Sequence, residues 1–117
     1  MKEVVIASGA RTPIGNFGGA LKEFPAHKLG ELVVREVIKR ADVDPELIDE
    51  VIIGCGGQSS DAYNVARVIG PMAGLPIRTP AYSVQRNCSL GLQPFVNAYQ
   101  NIQSEDADVQ VVGGWRA

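Results

Sequence analysis

Cys88 is the residue of this sequence best placed for covalent chemistry. The segment Val84-Gln85-Arg86-Asn87-Cys88-Ser89 leaves an apolar run of strand length and enters a stretch of helical periodicity. A cysteine at a strand-to-helix turn meets unpaired backbone N–H groups and the positive end of the helix dipole, and nearby Arg86 adds a cation; both favour thiolate over thiol. Such a thiolate is a nucleophile for activated carbonyls. The same residue also reads as one more small buried hydrophobe, and spacing alone does not choose between the two. Cys55 follows another strand-like run, and His27 is the single histidine of the chain. Two well-separated cysteines without a CxxC pairing, plus one histidine, fall short of a structural zinc site and give little ground for a disulfide. His27 reads as a surface residue near the start of a helix rather than as a base. Arg11-Thr12-Pro13-Ile14-Gly15 forms a loop at a strand exit. No Gly-Lys-Ser, Gly-Lys-Thr or GxGxxG follows, so turn chemistry is its expected use, not phosphate binding. Asn64 and Arg67 share one helical face, where they orient the nucleophile's surroundings, dock a neighbouring subunit or simply form a solvated polar surface.

The elements that must position these residues can be read from apolar spacing. Val4, Val5, Ile6 and Ala7 predict a first strand over 3–8, ended by Ser8-Gly9. The glycines and prolines between Ala10 and Pro25 predict a long loop. Leu29, Leu32, Val33, Val37 and Ala41 recur at helical spacing, which predicts an amphipathic helix over 26–41. Asp44-Pro45-Glu46 places a capping side chain ahead of a proline and predicts a short helical turn through Ile48. Val51-Ile52-Ile53 predicts a second strand running into Gly54-Cys55-Gly56-Gly57. Val65, Ala66, Ile69 and Ala73 predict a second helix, capped by Asp61 and kinked or shortened by Pro71. A third strand is expected at 81–84. A third helix, entered at about Cys88, carries the stripe Leu92, Phe95, Val96, Tyr99 and Ile102 through Gln103, and a fourth strand covers 108–112. This alternation predicts an α/β fold, a mostly parallel sheet with helices on its faces.

Composition narrows the function classes. The 117 residues are 45% hydrophobic and 21% charged, the balance of one folded domain rather than a disordered tail. No apolar run has the length of a membrane span, and MKEVVIAS lacks the apolar core of an export signal, so a cytoplasmic location is expected with no membrane partner. Eleven basic against thirteen acidic residues give a formal charge of −2, and no basic face is present for nucleic acid.

Five segments in register resemble the thiolase family, the coenzyme A dependent enzymes that make or cleave 3-ketoacyl thioesters. They are MKEVVIASGARTPIG at the start; Asp44-Pro45 with the Glu50–Gly54 strand; Asn64-Val65-Ala66-Arg67 with Ala73-Gly74-Leu75-Pro76; Val84 to Gln93 around Cys88; and Asp106-Ala107-Asp108 with Val112-Gly113-Gly114. The resemblance covers nearly the whole chain. It implies a parallel βαβαβαβ sheet forming half of a three-layer thiolase-like fold. It also implies that Cys88 takes up the acyl group as an acyl-cysteine, and that acyl-coenzyme A and coenzyme A are substrates with no bound cofactor. The reactions would be thiolysis of a 3-ketoacyl-coenzyme A or Claisen condensation of acetyl-coenzyme A, chemistry of lipid metabolism. No metal site is implied.

Thiolases are built from two similar halves, and the second half supplies the catalytic histidine and second cysteine in GHP-like and CxGxG-like motifs. Neither motif occurs in residues 1–117, so the sequence reads as an N-terminal domain cut before its last elements and lacking the C-terminal half. Inactivity alone and association, as a homo-oligomer such as a dimer or with the missing half, are then expected. Neither His27 nor Cys55 matches a catalytic position. Leu90 stands where the family has a small serine and Pro94 where alanine is common, and the ending Gly113-Gly114-Trp115-Arg116-Ala117 departs from the family's glutamate-serine-methionine. Two rival readings are a ketoacyl-synthase-like relative using carrier-protein thioesters, against which the opening segment speaks, and a non-catalytic assembly or binding module.

Overall fold

The computed structural model describes residues 2–12, 26–55, 64–85 and 92–115. Among these described residues the sheet has three strands in the order β2-β1-β3, all parallel, with β1 at Glu50–Cys55, β2 at Ala81–Val84 and β3 at Gln110–Trp115. Three helices pack on it, α1 (Ala26–Ala41), α2 (Val65–Met72) and α3 (Gln93–Gln103), and a 3-10 turn occupies Pro45–Leu47. Side chains alternate along a strand. Val51, Ile53 and Cys55 therefore share one face, where they join Val34 and Ile38 of α1 and Val65, Ala66 and Ile69 of α2 in the main core. Glu50 and Tyr82 lie on the other face, against α3, where Asn101 and Asn97 bond to them. The result is three layers, helix pair, sheet and helix, and the central strand β1 is buried on both faces as a parallel strand requires.

The helix ends follow one scheme. In α1 the Val43 N–H donates to Ile38 O and the Asp42 N–H to Lys39 O, at 3.5 and 3.1 Å. The same pair of bonds closes α2 at Leu75 and Gly74, and α3 at Asp106 and Glu105. Each is a Schellman motif, which needs a left-handed residue after the helix. Gly74 fills that position in α2 with φ 94°, but Asp42 (φ 53°) and Glu105 (φ 66°) fill it in α1 and α3. Glycine was thus no guide to two of the three helix ends. Lys39 and Arg40 occupy the last turn of α1, where cations complement the dipole. Asp44 caps the 3-10 turn as its sequence predicts, accepting from the Glu46 N–H at 3.0 Å.

Several expectations need correction. Residues 3–8 form no strand; Val5 and Ile6 are 72% and 79% exposed. Both sides of β1 are already occupied by β2 and β3, and the segment is instead held at its ends. There Lys2 and Gln103 bond reciprocally at 3.1 and 2.6 Å, Ser8 donates to Val37 O at 2.7 Å and Arg40 to Gly9 O at 3.0 Å. The last strand runs over 110–115 rather than 108–112, because Asp49 Oδ2 takes the Asp108 and Val109 N–H groups before the ladder begins. The N-cap of α2 falls at Asn64, not Asp61, which lies outside the described residues. Pro71 lies inside α2, one residue before its end, and the helix closes at the left-handed Gly74.

Candidate active site

Because the three strands are parallel, their C-terminal ends share one edge, and in sheets of this kind that edge gathers the chemistry. Cys55 ends β1, Val84 ends β2 and Trp115 ends β3. Asn64 at the head of α2 reaches this edge through β2: its Nδ2 donates to Ala81 O at 3.2 Å, and its Oδ1 accepts from Ser83 Oγ at 2.8 Å. Ser83 Oγ in turn accepts the Ala66 N–H at 3.2 Å. Asn64 makes no side-chain cap of its own, so a hydroxyl from the neighbouring strand caps α2. Arg67 completes the brace. It donates to Thr79 O and Ile77 O at 3.0 and 2.8 Å, holding the loop that leads into β2. Asn64 and Arg67 thus fix β2 against α2 rather than forming a merely solvated face.

Cys88, with Arg86, Asn87 and Leu90, lies outside the described residues; its flanks, Gln85 at the exit of β2 and Leu92 at the head of α3, are described. Among the described residues α3 covers Gln93–Gln103, with Pro94 in its first turn; the expected start at Cys88 lies outside them. A proline there gives up an N–H that no helical carbonyl would have taken, so Pro94 starts α3 and removes no interior bond. Across from β2, Gln93 Nε2 donates to Asn97 Oδ1 at 2.7 Å and Asn97 Nδ2 to Tyr82 Oη at 3.3 Å, a chain of side chains the sequence reading did not notice.

The apolar stripe of α3 does not face the sheet. Pro94 and Ala98 are buried, while Leu92, Phe95, Val96 and Tyr99 are exposed. Spacing locates a stripe but not its partner, and small residues let the sheet approach the opposite side. Cys55 is 3% exposed and in no disulfide, opposite Trp115 in the strand register. His27 sits in the first turn of α1 and is half-buried. Gly9, Ala10, Arg11, Thr12 and Arg40 line a shallow, open concavity. Arg11 donates there to Thr12 O at 3.0 Å, and the rest of the expected loop, Pro13 to Gly15, lies outside the described residues.

Carboxyl groups with shifted titration lie elsewhere. Burial raises the Glu50 pKa, against the hydrogen bond from Asn101 that lowers it. The Val109 and Asp108 N–H groups lower that of Asp49, and Arg35 lowers that of Glu31. Asp49 and Glu50 sit at the start of β1, the end away from the exit of β2, so their shifts belong to the fold's framework. Among the described residues no group of histidine, cysteine and carboxylate side chains gathers as a metal site, and no helix is long and apolar enough to cross a membrane.

The described residues form a three-layer α/β unit on a parallel sheet, with β2 and α3 flanking the segment that holds Cys88. The model of the thiolase N-terminal domain matches residues 4–116, and the chain belongs to the thiolase family. A probable acetyl-CoA acyltransferase of Staphylococcus aureus is 42% identical over 97% of this chain. A counterpart in Staphylococcus epidermidis is 38% identical over the same share. The crystal structure of the Bacillus anthracis acetyl-CoA acetyltransferase superimposes with a TM-score of 0.90 at 42% identity, covering 94% of this chain and 28% of that one. An acetyl-CoA acetyltransferase from Syntrophomonas wolfei gives 0.88 at 34% identity, covering 92% of this chain and 27% of that one. The chain spans about 29% of the length of both staphylococcal relatives.

Proposed function

We propose that this chain supplies the nucleophile-bearing part of an acetyl-coenzyme A acyltransferase. The match over residues 4–116, which includes the motif around Cys88, carries this reading. In it the Cys88 thiolate attacks a thioester carbonyl, and the carbonyl π electrons move to oxygen. Collapse of the tetrahedral intermediate expels the coenzyme A thiolate, leaving an acyl-cysteine. A second acyl-coenzyme A carbanion then takes the acyl group and frees the Cys88 thiolate. In thiolysis that thiolate instead attacks the 3-keto carbon, the acyl-coenzyme A carbanion leaves and is protonated, and free coenzyme A thiol takes the acyl group. Backbone N–H groups at the head of α3 are candidate donors to the oxyanion. Coenzyme A thioesters are the substrates, and no bound cofactor is required.

A complete cycle also needs a base and an acid. Cys55 is buried and His27 sits in the first turn of α1, so neither is assigned these roles. Residues 1–117 therefore form one thiolase-like N-terminal domain that depends on a C-terminal half or a second copy. The exposed Leu92, Phe95, Val96 and Tyr99 support such association, and they keep the assembly-module reading in play. The test is intact-protein mass spectrometry after incubation with acetyl-coenzyme A. One acetyl group gained per chain and lost in Cys88→Ser, without sustained consumption of acetoacetyl-coenzyme A, is the expected result. No acetylation, or acetylation that persists in Cys88→Ser, would reject Cys88 as the acyl acceptor.

A further inference from the structure

We propose that Tyr82, Asn97 and Gln93 are positioning residues, a hydrogen-bonded clamp joining β2 to α3 on either side of the segment that holds Cys88. The inference rests on the reading of Cys88 as the acyl acceptor. Tyr82 precedes that segment in sequence and the other two follow it. Ser83 faces α2, as its bonds to Ala66 and Asn64 show, so strand alternation turns Tyr82 toward α3. There Asn97 Nδ2 donates to Tyr82 Oη at 3.3 Å, and Gln93 Nε2 reaches Asn97 Oδ1 at 2.7 Å from one helical turn away.

The layout gives this chain a specific task. α3 packs chiefly on β1 and β3, whereas β2 is braced from the opposite side by Asn64, Ser83 and Arg67. The strand before Cys88 and the helix after it are thus anchored to different parts of the fold, and the Gln93-Asn97-Tyr82 chain ties them directly. Asn97 is also costly where it stands. Asparagine is a poor residue for a helix interior, and a half-buried amide without partners loses solvation. Bonds at both ends of its amide offset that cost. Leucine or alanine would pack there more cheaply but would leave β2 and α3 untied at this point.

The experiment is the rate of Cys88 alkylation by iodoacetamide across about pH 6 to 9, read by peptide mass spectrometry on the full chain, with buried Cys55 as internal reference. Loss of one hydrogen bond's worth of ordering corresponds to about a two- to tenfold fall in rate near neutral pH. Asn97→Leu and Tyr82→Phe are each expected to show that fall and a profile displaced to higher pH, with cooperative urea unfolding retained and Cys55 still unlabelled. A variant that merely loosened the fold would expose Cys55 and broaden the unfolding instead. Parental rates and an unmoved profile in Tyr82→Phe, which deletes one oxygen and keeps the ring, overturn the clamp even if Asn97→Leu fails to fold. Acetylation of the parent chain separates the two readings. Without it the acyltransferase reading fails while slowed alkylation still supports the clamp; with it, unchanged alkylation refutes the clamp alone.

Discussion

Ser83→Ala should unfasten α2 from β2, and its cost can be worked from contacts. Ser83 Oγ accepts the Ala66 N–H at 3.2 Å and donates to Asn64 Oδ1 at 2.8 Å. Removing a helix cap costs about 1 kcal/mol. Here water cannot replace the lost oxygen, because Val65 and Ala66 are both 0% exposed. A buried N–H left unpaired adds about 1 kcal/mol or more, so the total is about 2 kcal/mol. Urea unfolding followed by circular dichroism should show a midpoint lowered by about 1 M at an unchanged slope. Ser104→Ala is the control. That hydroxyl bonds Asn101 O and Asp106 Oδ2 at an exposed helix end and should be worth less than about 0.5 kcal/mol. Equal effects of the two substitutions would show that the strand hydroxyl is not the cap of α2 and would refute the reasoning.

Glu105→Gly should raise stability by about 0.5 kcal/mol, since glycine removes the left-handed strain at φ 66° while only an exposed Lys2 pair at 3.8 Å is lost. The gain should exceed that of Asp42→Gly, because aspartate tolerates this conformation better; urea midpoints of the two variants decide it, and a loss at Glu105→Gly would contradict the strain. Glu50 and Asp49 predict opposite pH behaviour. The folded state raises the Glu50 pKa above 4.5, so it binds more protons than the unfolded chain and stability falls as pH rises from 4.5 through the folded value. Glu50→Gln, which can still accept from Asn101, should therefore stabilise at pH 7 and lose that advantage in acid. The folded state lowers the Asp49 pKa below 3.8, so its contribution is present above 3.8 and is lost as pH falls through the folded value; Asp49→Asn should destabilise at pH 7 and much less at the acid end. Denaturation midpoints along a pH series check both, and a Glu50→Gln advantage that grows in acid would reverse the first sign.

What the sequence disclosed follows from where its information is local. The helix at 26–41 and the strand at 81–84 match the structure to the residue, the first because its period is unbroken and the second because prolines and polar residues bracket a short run. The 3-10 turn was legible in Asp44 and Pro45, whose cap bond spans two residues. Non-local facts were hidden. Val4 to Ala7 have strand composition, yet whether they pair depends on which edges β2 and β3 leave open. The outward stripe of α3 looks the same in sequence as an inward one. At the candidate site, Cys88 stood out by type and turn, whereas the tie from Tyr82 to Asn97 bridges fifteen residues and two elements, and no single-segment pattern contains it.

The composition of α3 has a colloidal consequence. Its sequence, QPFVNAYQNIQ, holds no charged residue, although the chain as a whole carries −2. Two such faces meeting would bring no ions together, so screening has little to act on. Contact through α3 should then ignore moderate sodium chloride, strengthen with sulfate, which is excluded from apolar surface, and loosen in urea. An ion-paired interface would give way in sodium chloride instead, so the salt series identifies which kind of surface holds any assembly this chain forms.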